Sequence, residues 1–349
     1  MAEIQGLELG ERTRSSRATQ ADIAREAGVS VSTVSRVLAN EPGISADVRS
    51  AIRDVARQLG YRIKPVREDE AAISGPLLAL VAVEHATSEL GAFYEAVLNG
   101  MRQQAERDGA VLTIRLVREA SITQAFLAQY LAEPEGAGLF LVGIDPSPEL
   151  AKWLADGGTP VVLVNGADPD LQFDCVSPSN FYAAQMATRK LLDAGHRHIV
   201  HISGAHRHTT LERYRGFVEA IGRVDGARGY LARLTFIGNT AEESRVAMEA
   251  QLAAHPEISA AFCMNDNIAV GVLQALETAG RRVPEDFAVI GFDNLPCAAM
   301  TTPRLTTLEV DRDGLGREAF MLMRRRIAEP DAMARQVQMG VRLIVGGTV

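Results

Sequence analysis

Two hydrophobic rhythms divide this chain. Between Ala18 and Tyr61, apolar residues recur at helical spacing in short bursts; from Leu77 onwards, short apolar runs alternate with amphipathic stretches. In the first part Ile23 and Ala27 fall one turn apart, and Ala24 is small enough for another helix to cross closely. Thr19 suits an N-cap, with Asp22 as an imperfect capping box. Gly28 suits the left-handed position that ends this helix. Val29 then plugs a turn, and Ser30 caps a second helix over 31–38 with Val34, Val37 and Leu38 inward. Ser45 opens a third helix, with Val48, Ile52, Val55 and Leu59 at helical spacing, and Gly60 closes it.

In the second part the runs at 77–83, 111–117, 138–142 and 160–164 read as strands, with helices at about 93–107, 122–132 and 149–155 between and around them. A second series begins after Val176. It has helices at 180–194, near 212–223, near 242–253 and at 266–279. Its strands fall at 198–202, near 234–237, at 260–264 and at 287–292. Repeated βα units imply parallel sheets covered on both faces, and two series imply two similar lobes. The fold class is therefore α/β, with an all-α helix-turn-helix head on a two-lobed body. Ligands bind outside the carboxyl ends of such strands, which places a pocket between the lobes.

The head pattern is that of a DNA reader, whose second helix lies in the major groove. Val31, Ser32, Thr33, Ser35 and Arg36 are left on its outer face. The planar fork of Arg36 suits guanine O6 and N7, and Val31 suits a thymine methyl. Ser32 can donate or accept, while Ser30, Thr33 and Ser35 suit phosphates, which orient a protein without specifying sequence. Thr19 and Asn40 complete the candidate DNA contacts. The competing reading, a three-helix protein-interaction bundle with Arg36 merely solvated, accounts less well for the turn and the small outer side chains.

In the body, the polar residues just after strands are the candidates for ligand binding. Asn165 follows PVVLV, Asn265 and Asp266 follow AAFCM, Asp293 follows VIGF, and Arg213 sits near a helix start. Phe93 and Tyr94 offer an apolar face to a ring. Carboxylates and amides suit vicinal hydroxyls, and such a mixture of flat surfaces and placed polar groups is usual for small-molecule sites. Asp266 also reads as a helix N-cap. His206 and His208 suit an anionic ligand but read more simply as a solvated loop, and His196, His198 and His201 as structural.

The segment DIAREAGVSVSTVSRVL resembles the head of the LacI/GalR family of bacterial repressors. LERYRGF (211–217), FCMNDNIAVGVLQALETAG (262–280), VPEDFAVIGFDN (283–294) and PRLTTLEVDRDGLGREAF (303–320) resemble its effector domain. The resemblance implies a ligand-responsive repressor that binds a pseudo-palindromic operator in double-stranded DNA as a homodimer. It implies an effector in the cleft, contacted by Arg213 and Asp293, and a chain that crosses between lobes three times. A sugar or sugar derivative is the effector class it implies, with a nucleobase acting as corepressor the alternative. Family members often have asparagine where Ala39 stands here; Asn40 is the neighbouring substitute.

Composition narrows this further. At 349 residues and 47% hydrophobic, the chain can bury two or more cores. The net charge of −8 alone argues against a nucleic-acid protein, but 18–65 carries seven positive and five negative residues, so the acidity lies elsewhere. The scattered Cys175, Cys263 and Cys297 read as reduced thiols of a cytoplasmic protein, without metal spacing. No secretory signal or long apolar run stands out, which disfavours a transport component and a membrane partner. No catalytic constellation, metal site or cofactor motif is evident, which disfavours an enzyme.

The expected organisation is a flexible extension at 1–17, the DNA-binding head at 18–61, a linker at 62–76 and the effector-binding, dimerising body at 77–349. The linker departs from the family pattern. By alignment the leucine that wedges a base step falls at or near Glu70, and Arg67, Glu68 and Asp69 replace small residues, leaving Val66 as the nearby apolar substitute. The expectation is a hinge that stays disordered or uses another geometry. A small-molecule sensor with weakened DNA binding is thus a further alternative.

Overall fold

The computed structural model describes residues 19–38, 48, 51–52, 55–56, 59, 61, 73, 75–86, 91–131, 138–204, 207–234 and 240–349. The chain falls into two compact units, Met1–Glu70 and Ala71–Val349.

In the first unit, α1 spans Gln20–Ala27 and α2 spans Val31–Leu38. The capping box is complete: Thr19 Oγ1 accepts from the Asp22 N–H at 3.3 Å, and the Asp22 carboxylate accepts from the Thr19 N–H at 2.9 Å. Gly28 ends α1 at φ 66°, a conformation open to glycine at no steric cost. Ser30 Oγ accepts from the Thr33 N–H at 3.1 Å and so starts α2. Ile23, Ala24, Val34, Val37 and Leu38 pack with Ile52 and Ala56 in one core, as the helical spacing predicts. Val48, Ala51, Ile52, Val55 and Ala56 are helical, but Val48 and Leu59 stay exposed and add nothing to that core. Ser45, Gly60 and nearly all of the 62–76 linker, including Val66–Glu70, lie outside the described residues, as does Asn40.

In the second unit, β1 (Leu77–Ala82), β2 (Leu112–Val117), β3 (Gly138–Val142), β4 (Val161–Val164), β5 (Asp174–Pro178) and a late strand, β11 (Gln336–Met339), form one parallel sheet in the order β11-β5-β4-β3-β1-β2. A second parallel sheet has the order β7-β6-β8-β9, from β6 (His198–Ser203), β7 (Arg228–Arg233), β8 (Ala260–Cys263) and β9 (Ala288–Ile290). β3, β4 and β8 are buried along their whole length, as strands covered by helices on both faces must be. The edge strand β2 instead alternates half-buried and exposed positions and buries only Val117 at its end.

The helices of this unit that carry the argument are α3 (Val83–Ala86), α4 (Gly91–Asp108), α5 (Gln124–Leu131), α6 (Pro148–Asp156), α7 (Asn180–Asp193), α8 (His208–Gly222), α9 (Ala241–Ala254), α10 (Asp266–Thr278), α11 (Pro296–Met300) and α12 (Arg312–Ala328). The chain crosses between the sheets three times: from β5 to α7, from β10 (Thr307–Val310) to α12, and at Gly340 between β11 and β12 (Val341–Ile344). β12 returns to pair antiparallel with β10. The strand expected near 234–237 lies instead at Arg228–Arg233, and 235–239 fall outside the described residues. Its signal is weak because it is an edge strand that buries only Ala232, and its place is set by pairing with β6. α8 begins four residues earlier than expected, because the Arg207 N–H donates to Thr210 Oγ1 at 3.0 Å and opens a turn there.

The α4–α12 crossing depends on two glycines. A Cβ on Gly316 would run into the Val97 carbonyl, and one on Gly100 into the Asp313 carbonyl. Backbone atoms cannot step aside as side chains do, so overpacking outweighs the roughly 1 kcal/mol that alanine gains over glycine within a helix. Gly316→Ala should lower stability by about 1–3 kcal/mol in urea unfolding. Gly222→Ala, in open space at the end of α8, should be neutral or stabilising in the same assay. Equal effects from the two would refute the close crossing.

Candidate functional site

The first unit presents a polar face on α2. Val31 is 48% exposed, and Ser32, Ser35 and Arg36 are exposed beside it, with Thr33 half-buried. Ser30 Oγ lies 2.8 Å from both Ser32 Oγ and Thr33 Oγ1. These hydroxyls gather at a helix start, where unsatisfied N–H groups and the helix dipole favour an anion. The Thr19 hydroxyl is committed to its cap: it donates to the Asp22 carboxylate at 2.7 Å.

In the second unit, the strand ends of both sheets bring polar side chains together. From the first sheet come Asn165, after β4, and Asp145, after β3. From the second come Arg207, Asn265 and Asp293, after β6, β8 and β9, with Arg213 on α8. Tyr94 on α4 is the hub of the first group. Its hydroxyl accepts from Asn165 Nδ2 at 3.0 Å and from Arg207 Nη1 at 3.3 Å. Gly143, at φ 69°, makes room for that ring, since a Cβ there would lie 2.6 Å from Tyr94 Oη. Phe93 meets Tyr94 edge-on at 5.1 Å and both rings are buried in the same core, but the Tyr94 hydroxyl also reaches the polar groups of the site.

Arg213 is the hub of the second group. Its Nε donates to Asn180 Oδ1 at 2.8 Å, its Nη1 donates to the Met264 carbonyl, and its guanidinium carbon lies 3.6 Å from the centre of the Phe292 ring. Nη2 stands 3.6 Å from Asp293 Oδ1, close enough for charge attraction but long for a hydrogen bond. Burial pushes the Arg213 guanidinium down and the Asp293 carboxyl up from their usual values; their mutual attraction only partly offsets this. Among the described residues, three buried side-chain atoms here have no hydrogen-bond partner: Asn165 Oδ1, Asn265 Nδ2 and Asp293 Oδ1. Asn165, Asp293 and Asn294 also hold positive φ, at 54°, 97° and 50°, a strained backbone for residues other than glycine.

The helix cap expected of Asp266 belongs to its neighbour. Asn265 Oδ1 accepts from the Ile268 N–H at 2.9 Å, and Asp266 takes the first position of α10. The Asp266 carboxyl faces inward, accepting from the Leu295 N–H at 2.6 Å and from Thr307 Oγ1, and burial raises its pKa to about 8. His208 is exposed, and His206 lies outside the described residues. His201 is fully buried, its Nδ1–H donating to the Phe262 carbonyl at 2.9 Å, and burial lowers its pKa to about 4. Burial raises the Cys175 thiol to about 12.

Sequence reasoning missed Arg207 and Asp145. Arg207 Nε donates to Asp145 Oδ2 at 3.3 Å, and its Nη2 donates to the Asn165 carbonyl at 3.0 Å. One side chain of the second lobe thus takes three partners in the first. The rule that polar residues after strands line the cleft would have found Asp145, two residues beyond GLFLVG. Arg207 sat in a loop noticed only for its histidines.

Residues 19–63 match the family described as bacterial regulatory proteins, lacI family, and residues 188–349 match a periplasmic binding protein-like domain. The chain is 32% identical over 291 residues to the transcriptional regulator GalS of Salmonella typhimurium, covering 82% of this chain and 83% of that protein. It is 28% identical over 333 residues to the transcriptional regulator GntR of Pseudomonas aeruginosa, with 94% of each covered. Among solved structures, it is similar to a complex of the transcriptional regulator CelR with cellobiose, with a TM-score of 0.69, 26% identity, and 95% and 100% of the two chains covered. No helix among the described residues is long and apolar enough to cross a membrane.

The Asp266 environment makes a pH prediction. Its carboxyl ionises near 3.8 when unfolded but near 8 when folded. Between those values the folded chain holds a proton that the unfolded chain has lost, so stability falls as pH rises and levels off above about 8. Asp266→Asn has nothing to ionise, and its melting temperature should fall less across that window. Parallel pH profiles for the two proteins would show that Asp266 is charged when folded.

Proposed function

We propose, from the premise that this chain belongs to the lacI family of bacterial regulatory proteins and is a ligand-responsive DNA-binding regulator, that it is a repressor released by a sugar-type effector held in the second unit. The observation that carries this reading is the set of buried atoms without a hydrogen bond among the described residues, Asn165 Oδ1, Asn265 Nδ2 and Asp293 Oδ1, around the Arg213–Asp293 ion pair. Each such buried atom costs about 1–3 kcal/mol. Two are acceptors and one is a donor, the complement of vicinal hydroxyls that both give and take hydrogen bonds. The similar CelR structure holds cellobiose, a compound of that chemistry.

In this reading Asp293 and Arg213 hold the effector from the second lobe, and Asn165 and Tyr94 from the first. A ligand that touches both lobes changes their relative pose, and it acts only through its different affinity for the two poses. Effector and operator are then reciprocally linked: an effector that weakens DNA binding binds the DNA-bound form less well by the same factor. In the head, Arg36, Val31 and Ser32 read base edges, while Ser30, Thr33 and Ser35 hold phosphates, with Thr19 and Asn40 at the margin. Two heads in a symmetric dimer read a pseudo-palindromic site. The division into an extension at 1–17, a head at 18–61, a linker at 62–76 and a body at 77–349 belongs to the same proposal.

The test is to select DNA from random sequence with the full chain, then to follow binding in a salt series against sugars and nucleobases. A palindromic site whose occupancy falls with one sugar supports the reading, and a response to a nucleobase alone replaces the effector class. Arg36→Ala should weaken specific binding by roughly 1–3 kcal/mol at one base pair per half-site. Unchanged specificity would remove α2 from the groove. Asp293→Asn, which spares Arg213 an empty partner site better than alanine does, should lose the effector response and keep operator affinity. An unaltered response would exclude Asp293 from the pocket.

A further inference from the structure

We infer, on the reading of this cleft as the effector site, that Asp145 is a specificity determinant: by pairing with Arg207 across the lobes it reserves the cleft for uncharged polyhydroxyl compounds and excludes their phosphorylated or acid forms. A phosphate or carboxylate is held best by an arginine whose fork is free to bind it with two parallel hydrogen bonds. Neither buried guanidinium of the cleft is in that state. Arg207 has Asp145 at 3.3 Å, and Nη1 and Nη2 are taken by the Tyr94 hydroxyl and the Asn165 carbonyl. Arg213 has Asp293 at 3.6 Å, with Asn180 and the Met264 carbonyl on its other nitrogens.

The surroundings reinforce this exclusion. The Arg207–Asp145 pair is mostly shielded from water, with side chains 15% and 27% exposed, so its charges are weakly screened. Glu119 and Glu84 stand on the same side. The Glu119 N–H donates to the Glu84 carboxylate at 3.4 Å. The Glu119 carboxyl is pushed up from its usual value by burial first, with Asp145 and Glu84 adding to the rise and Arg207 opposing it. An anion brought to Arg207 therefore meets carboxylates that already use its charge. A hydroxyl meets no such penalty, and the unpartnered amide and carboxylate atoms of Asn165, Asn265 and Asp293 suit it.

The experiment follows melting temperature and calorimetric binding of the full chain with inorganic phosphate, against chloride at equal ionic strength. In parallel, it uses sugars beside their phosphates and aldonic acids, such as glucose, glucose 6-phosphate and gluconate. Phosphate should not stabilise the wild type, and any sugar that binds should do so at least about tenfold more tightly than its anionic form. Asp145→Asn frees Arg207, so this variant should gain stabilisation by phosphate, and Asp145→Asn/Arg207→Ala should lose that gain. Phosphate stabilising the wild type, an anionic form binding as well as its parent sugar, or no gain in Asp145→Asn would each overturn the inference. If no sugar binds, the sugar reading of the effector fails on its own, while the phosphate arms still decide the role of Asp145. If the variants do not fold, the wild-type arms can still overturn the inference.

Discussion

Arg213 and Asp293 stand 3.6 Å apart with side chains only 7% and 4% exposed, and much of the second unit is arranged around that fact. Taking both charges out of water costs several kcal/mol each, and attraction at this separation does not by itself restore it. The fold adds compensation: Asn180 at the start of α7, the Met264 carbonyl at the end of β8, and the Phe292 ring face. Each comes from a different chain segment, so the guanidinium ties together the first crossing and two strand ends. The pair remains incompletely satisfied, since Asp293 Oδ1 has no hydrogen-bond partner among the described residues.

A second link, Arg207 with Asp145, Tyr94 and Asn165, joins the lobes directly. The contact between the lobes therefore rests on charge and hydrogen bonding as well as on packing. The backbone shares in this. Asn165, Asp293 and Asn294 hold positive φ at the ends of β4 and β9, where strain persists only when surrounding structure over-determines it. Two polar groups and two strained strand ends, one set per lobe, give the cleft a built geometry with a stake in how the lobes meet.

The head works on a smaller scale. Among the described residues its core has seven buried members, and its helix starts rely on Thr19, Asp22 and Ser30 side chains to satisfy orphan N–H groups. Each such cap contributes on the order of 1 kcal/mol, a large share for so small a core. The same short helix then serves two purposes, with Val34, Val37 and Leu38 inward and Val31, Ser32, Ser35 and Arg36 outward.

What the sequence determined by itself was local and periodic. The limits of α2, the glycine turn at Gly28, the capping by Thr19 and Ser30, and the buried strands β3 and β4 follow from spacing and residue type within a few positions. Polar residues after strands pointed to Asn165, Asn265 and Asp293 by a rule about strand ends, and Arg213 came from its place near a helix start and from the family resemblance. What only the tertiary structure decided was which of these meet, and what joins them. The edge strand at Arg228–Arg233 and the pairing of β11 with β5 arise from hydrogen bonding between distant segments, which leaves little hydrophobic pattern. The cap fell to Asn265, whose Oδ1 accepts from the Ile268 N–H, because the Asp266 carboxyl is turned inward to the Leu295 N–H and the Thr307 hydroxyl, partners that only the fold brings near. Arg207 and Asp145, 62 positions apart, became partners because two parallel sheets point their strand ends at each other, and no spacing in the sequence encodes that approach.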